Sequence, residues 1–308
     1  MAHEKLFGIC ENKCMVEVPS LEKHNQDISD LENKHNQDIS DLNADLTSKH
    51  NLDIDDIIRK IVLNVTGNEP LTSCEDLYKS QTNITTIDYI ETHFVTDMTN
   101  MFYKCTSLTS IPQLDTNNVT DMTNMFNNCT SLTSIPQLDT NNVTDMTCMF
   151  YKCTSLTSIP QLDTNNVTDM TRMFYNCTSL TSIPQLDTSN VTNMACMFGG
   201  CSSLTSIPDL DTSNVTIVSD VTGDMFKDCT KLTTFTDNPY APEGNRWQFK
   251  VDIRFSFCPL DRKSILKVFN GLQTVEGKTI TISSTTNSYL SDEDKAIATN
   301  KGWTITVV

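Results

Sequence analysis

The chain repeats itself. From Phe102 to Met125, and again from Phe126 to Met149, it reads FxxCTSLTSIPQLDTNNVTDMTxM, and the two blocks differ at only three positions. Phe102, Phe126, Phe150, Phe174 and Phe198 mark a period of 24, and Phe226 comes late because IVSDVTGD carries an insertion. Cys105, Cys129, Cys153, Cys177, Cys201 and Cys229 each follow their Phe by three. A unit this short cannot bury an apolar face alone, so near-copies at this period predict a solenoid whose coils cover one another.

Within one unit the apolar residues are Leu108, Ile111, Leu114, Val119, Met122, Met125, Phe126 and Cys129. The last four fall at i, i+3, i+4 and i+7, which predicts a short helical turn, with Thr120 or Asp121 as its cap. LTSI, with apolar ends and Thr between them, predicts a short strand entering a proline-marked turn. Stacking would align these strands into a parallel sheet on one side of the rod. At roughly 1.5–3 kcal/mol for each buried side chain, such coils are stable only when neighbours cover them. Phe102, Phe126, Phe150, Phe174, Phe198 and the cysteines Cys105, Cys129, Cys153, Cys177 and Cys201 are therefore expected to form core columns.

The cysteine column suits a buried thiol ladder, because adjacent rungs present parallel rather than converging Cβ directions for a disulfide. Cys148 and Cys196 lie two repeats apart, and Cys10 and Cys14 form one CENKC pair without a second half-site. Asn118, Asn142, Asn166, Asn190 and Asn214 head NVT sequons, and Asn128 and Asn176 head NCT. A ladder of Asn side chains bonding the backbone explains them without glycosylation. Asp115, Asp139, Asp163, Asp187 and Asp211 form one aspartate column and Asp121, Asp145 and Asp169 another. Turn and cap hydrogen bonds account for both, with a calcium ladder as the competing reading.

The solenoid is expected over 84–236, after a linker at 67–83 that contains Gly67 and Pro70. Before the linker, residues 21–66 hold neither Pro nor Gly and repeat KHNQDISDL after 11 residues. Leu21, Ile28, Leu31, Ile39, Leu42 and Leu46 then line one helix face, with His24, His35 and His50 near the seam as polar layers or ion and pH sensors. So thin a stripe predicts a self-associating coiled-coil stalk, with residues 1–20 as an attachment tip.

The chain has 308 residues and a formal charge of −17, which argues against nucleic acid and anionic membranes as partners. It shows no apolar run long enough to span a bilayer and no secretory signal, so synthesis in cytoplasm is expected. Only His93 lies in the repeat region, no glycine-rich phosphate loop exists, and the Asp columns give no unique carboxylate pair. No catalytic residue, cofactor or metal is expected.

After the repeats, NPYAPEGNRWQF reads as an irregular loop. LDRKSILKVFNGL predicts an amphipathic helix stopped at Gly271, KTITIS a strand, LSDEDKAIATNKG a helix capped by Ser291 and ended by Gly302, and WTITVV a last strand. Residues 237–308 are thus expected to cap the rod.

The repeat units, FxxCTSLTSIPQLDTxNVTDMxxMF, resemble the BspA-like leucine-rich repeat surface proteins, in particular the methionine-rich subgroup found in mycoplasmas, lactobacilli and gut Bacteroidales. The C-terminal CPLDRKSILKVFNGL…LSDEDKAIATNKGWT is similar to the closing unit of such proteins in gut Bacteroidales and their phages. KLFGICENKC resembles the start of structural proteins from those phages.

The resemblance implies a leucine-rich-repeat solenoid with a parallel sheet on one side and short helical turns on the other, and a role in adhesion. With the stalk it implies a homotrimeric tail or head fibre in a virion, held by a virion protein at its N terminus and binding a host receptor or glycan. The alternatives are a bacterial or protist surface adhesin, or an intracellular scaffold. The expected binding face comprises Thr109, Ser110, Gln113 and Asp115, with their counterparts Thr133, Ser134, Gln137, Asp139, Thr157, Ser158, Gln161, Asp163, Thr181, Ser182, Gln185 and Asp187.

Overall fold

The computed structural model describes Lys34 and residues 71–308, apart from 88–89, 221–222 and 238–246. The stalk and tip, with Cys10, Cys14, His24, His35 and His50, lie outside the described residues. What is described from Thr72 onward is one compact unit.

The coils stack in register. Single parallel bridges join Ser73 to Asp97, Asp97 to Asp121, Asp121 to Asp145, Asp145 to Asp169, Asp169 to Asn193 and Asn193 to Ile217. Stacking begins earlier than the sequence pattern indicated. Residues 73–83, expected as linker, already form a coil, with Cys74 N–H bonding Asp97 O at 2.8 Å. Tyr78 there takes the phenylalanine position and stacks on Phe102 at 5.6 Å. A linker reading failed because this coil keeps the apolar spacing while its polar residues have diverged.

The core is a set of columns. Phe102, Phe126, Phe150, Phe174, Phe198 and Phe226 stack ring on ring at 5.5–5.8 Å with interplanar angles of 5–11°, the offset geometry that aromatic quadrupoles favour. The Val, Met, Leu and Cys positions of each coil are likewise sealed from solvent.

The segment MxxMFxxC is not a helical turn. No described residue between 72 and 205 is in a helix. Instead N–H groups alternate. Met101, Tyr103 and Cys105 bond back three residues within the coil, whereas Met98, Asn100, Phe102 and Lys104 bond carbonyls of the next coil at 2.7–3.0 Å. Asn100 and Lys104 have φ of 55° and 60°, as do their counterparts down the stack to Gly200 (φ 77°). A left-handed residue every fourth position stops helix propagation and turns alternate N–H groups outward. The i, i+3, i+4, i+7 spacing therefore reflects linked tight turns.

LTSI also departs from expectation. Most coils make one backbone bond there, such as Thr205 N to Thr181 O at 3.1 Å. Regular pairing appears only where β1 (Ser206–Pro208) lies parallel to β4 (Thr234–Thr236). The following proline has no N–H with which to extend a ladder. The insertion forms a two-residue hairpin, β2 (Ser219–Asp220) against β3 (Gly223–Asp224).

Further along the chain, β5 (Ile253–Phe255), β6 (Lys278–Ile282) and β7 (Trp303–Val307) form a parallel sheet in that order. Crossovers carry α1 (Arg262–Gly271), then α2 (Ser284–Asn287) and α3 (Asp292–Thr299). Asp261 caps α1 by accepting from Ser264 N–H, and Ser291 and Asp294 form a capping box on α3. Gly302, at φ 84°, ends that segment, as its sequence position predicts. The unpredicted α2 is one polar turn capped by Ser283.

This section continues the stack. Phe255 packs on Phe226 at 5.1 Å, and the Cys258 thiol points to Phe226 O at 3.6 Å. At Asp209, where earlier coils carry Gln, the carboxylate accepts from Trp247 Nε1 at 3.0 Å and from Lys267 Nζ at 3.0 and 3.2 Å.

Candidate binding face

Outward side chains of the repeat divide into those tied to the next coil and those left for solvent. In the expected face, Gln113, Gln137, Gln161 and Gln185 each donate Nε2 to the carbonyl 24 residues on, at 2.5–3.1 Å. The Gln column thus spends its amide N–H groups on coil-to-coil bonds. Thr109 and Thr157 hydroxyls donate to the preceding coil's carbonyls at 3.0 and 3.4 Å. Ser110, Ser134, Ser158 and Ser182 are exposed and make no side-chain hydrogen bond to a described residue. Asp139, Asp163 and Asp187 each accept the N–H two residues on through Oδ1 at 2.9–3.0 Å, and Asp115 does so at 3.3 Å. The Ser hydroxyls are exposed, and Asp139, Asp163 and Asp187 each keep their second carboxylate oxygen out of these turns, whereas Asp115 Oδ2 contacts His93 Nδ1 at 2.7 Å.

Asn142, Asn166, Asn190 and Asn214 form the expected ladder, with Nδ2 on the carbonyl 25 residues earlier at 2.6–2.7 Å. Asp121, Asp145 and Asp169 accept from the backbone N–H two residues on at 2.7–2.8 Å. Among the described residues no group of His, Cys, Asp and Glu could hold a metal ion. No described helix is long and apolar enough to cross a membrane.

Every described cysteine is a free thiol. Cys129, Cys153, Cys177 and Cys201 donate Sγ–H to the carbonyl of a phenylalanine one coil earlier, at 3.0 Å. Burial pushes the Cys105 thiol up to about 11, and those of Cys153, Cys177 and Cys201 well above their ordinary range. They are packing groups, not nucleophiles.

A second outward strip flanks the phenylalanine stack, and sequence reasoning passed over it. It comprises Asn100, Asn124, Cys148 and Arg172; Tyr103, Asn127, Tyr151 and Tyr175; and Lys104, Asn128, Lys152 and Asn176, of which Asn127 is buried and bonded to Asn124 and Asn128. Lys104 and Lys152 place Nζ over the rings of Tyr103 and Tyr151 at 5.0 and 5.3 Å, and Tyr151 stacks on Tyr175 at 5.2 Å. The signal was available: the three positions at which the first two blocks differ are these columns.

The repeat section matches a family model described as "Mycoplasma protein of unknown function, DUF285", over residues 72–180 and 156–240, more than half of the chain. The chain belongs to this family. That match starts at the coil containing Ser73, which the pattern of LTSI units alone did not reach. No curated protein sequence matches.

Among solved structures, a leucine-rich repeat protein of T. pallidum is similar at 18% identity and a TM-score of 0.35, over 73% of this chain and 81% of that one. A leucine-rich cell surface protein of Faecalibacterium prausnitzii A2-165 is similar at 18% identity and a TM-score of 0.26, over 70% of this chain and 60% of that one.

Proposed function

We propose that this DUF285 member is a non-enzymatic adhesion protein, most specifically a tail or head fibre of a phage, whose solenoid binds a receptor or glycan on the host surface. The observation that carries this reading is the surface ladder. Side chains of Gln, Asn and Thr tie each coil to the next, so the exposed groups recur on a rigid backbone, one set per coil. A rigid periodic display suits a repetitive ligand, because many weak contacts add with little further loss of freedom.

The stalk read in residues 21–66 would join three chains and multiply those contacts again, and the resemblance of KLFGICENKC to phage structural proteins supports a tip that attaches to a virion protein. The C-terminal section would close the apolar end of the stack. Binding needs no cofactor or metal in this scheme.

Adsorption of the purified full chain to intact gut Bacteroidales cells tests the reading. Saturable adsorption, together with a trimer mass by light scattering, supports it. A monomer that adsorbs to no cell contradicts it.

A further inference from the structure

We infer that ligand identity is read by the strip of columns at 100, 103 and 104 and their counterparts, and that the ligand is a linear acidic polysaccharide lying along the coil axis. This rests on the adhesion reading and specifies its face and chemistry.

The first argument is where the copies vary. Coils 98–121, 122–145 and 146–169 differ from one another only at these columns: Asn100, Asn124, Cys148; Tyr103, Asn127, Tyr151; Lys104, Asn128, Lys152. Exposure does not explain this, because Ser110, Ser134, Ser158 and Ser182 are exposed, whereas of the varying residues only Lys104 is, and these serines are tied to no described side-chain partner and do not vary. Duplication alone would scatter changes over all exposed positions.

The second argument is strain. Columns 100 and 104 have φ between 54° and 77° from Asn100 to Gly200, where Asn and Gly are at ease and long side chains are not. Sibling coils carry Asn124, Asn128, Asn176 and Gly200 at these positions. The backbone conformation therefore favours Asn or Gly over Lys104 (φ 60°), Lys152 (φ 57°) and Arg172 (φ 54°). Side chains kept in unfavourable conformations mark functional positions.

Third comes charge. Between residues 72 and 236 the cations are Lys79, Lys104, Lys152, Arg172, Lys227 and Lys231, and all but Lys231 fall in these columns. Asp76, paired with Lys79, Asp224, paired with Arg254, and Asp228 are the acids among them. In a chain of net charge −17 this concentration opposes the general trend, and it complements a polyanion at short range. Tyrosine rings beside the cations supply flat apolar surface for sugar rings. The backbone N–H groups here are spent within and between coils, so a peptide could not dock by strand addition. Recognition rests on side chains at coil spacing.

The test uses the full chain carrying Lys104→Asn, Lys152→Asn and Arg172→Asn together, with Ser110→Ala, Ser134→Ala and Ser158→Ala as the comparison set. Polygalacturonate is the probe, with dextran and polyglutamate as neutral-sugar and acidic-peptide counterparts. Salt-sensitive binding to polygalacturonate should exceed binding to either counterpart at least tenfold. The Asn variant should lose it at least tenfold while melting at a higher temperature, a loss several times larger than that of the Ser variant. Equal binding to polyglutamate or dextran, or unchanged binding by the Asn variant, overturns the inference. Cell adsorption that survives the Asn variant but falls with the Ser variant would overturn this face and leave the adhesion reading standing.

Discussion

A residue in this protein does the same job as its counterparts 24 positions away, so one substitution removes a rung from a column. Phe150 lies between Phe126 and Phe174 at 5.6 Å on both sides and is fully buried. Phe150→Ala should destabilise by about 3–5 kcal/mol in urea unfolding, since rigid neighbours cannot close the cavity. An unchanged midpoint would place that ring outside the core.

The thiols make a pH-dependent claim. Burial raises Cys105 from its ordinary 9.0 to about 11 and holds Cys153, Cys177 and Cys201 well above their ordinary range. A group whose folded pKa is raised gives stability that is complete below the unfolded value and is lost as pH climbs toward the folded one. Thermal unfolding should thus show flat stability up to about pH 9 and a decline from there to pH 11. Native alkylation at pH 8 should spare these columns. Rapid labelling of Cys153 would contradict the ladder.

At the scale of elements, the apolar columns, the Asn ladder and the C-terminal helices and strands were legible, because apolar spacing, capping residues and glycine stops act locally. Ser291 with Asp294 and Gly302 are instances. The turn chain was not. Met122, Met125, Phe126 and Cys129 satisfy helical spacing equally well, and only the left-handed residues Asn124 and Asn128 mark the difference (φ 57° and 62°). The Gln column was legible as polar and repeated, but its bonds run to another coil, which spacing within one coil cannot reveal.

One edit, Gln to Asp at 209, adds a part-buried ion pair to the join between repeat and C-terminal section. Asp209 and Lys267 are only 16% and 17% exposed in their side chains. Asp209→Ala should therefore cost about 1.5–3 kcal/mol, as expected for a charged hydrogen bond, measured by urea unfolding with tryptophan fluorescence reporting Trp247. No loss would mean that the other contacts, among them Phe255 on Phe226, Asp261 N–H to Thr233 O and Phe235 N–H to Ser264 Oγ, hold the two sections without it.

From Ser73 to Phe235 the described residues form a stack of closely similar coils, each incomplete without its neighbours, and the candidate face exists only if that stack is continuous. Paired spin labels read this directly. Ser110 and Ser206 occupy the same column four coils apart, so nitroxides there, in a chain whose other reactive cysteines are replaced, should lie about 20 Å apart at roughly 4.8 Å per coil. A narrow distribution at that distance is the predicted result. A broad one, or one centred far beyond it, would show that the copies do not stack in register.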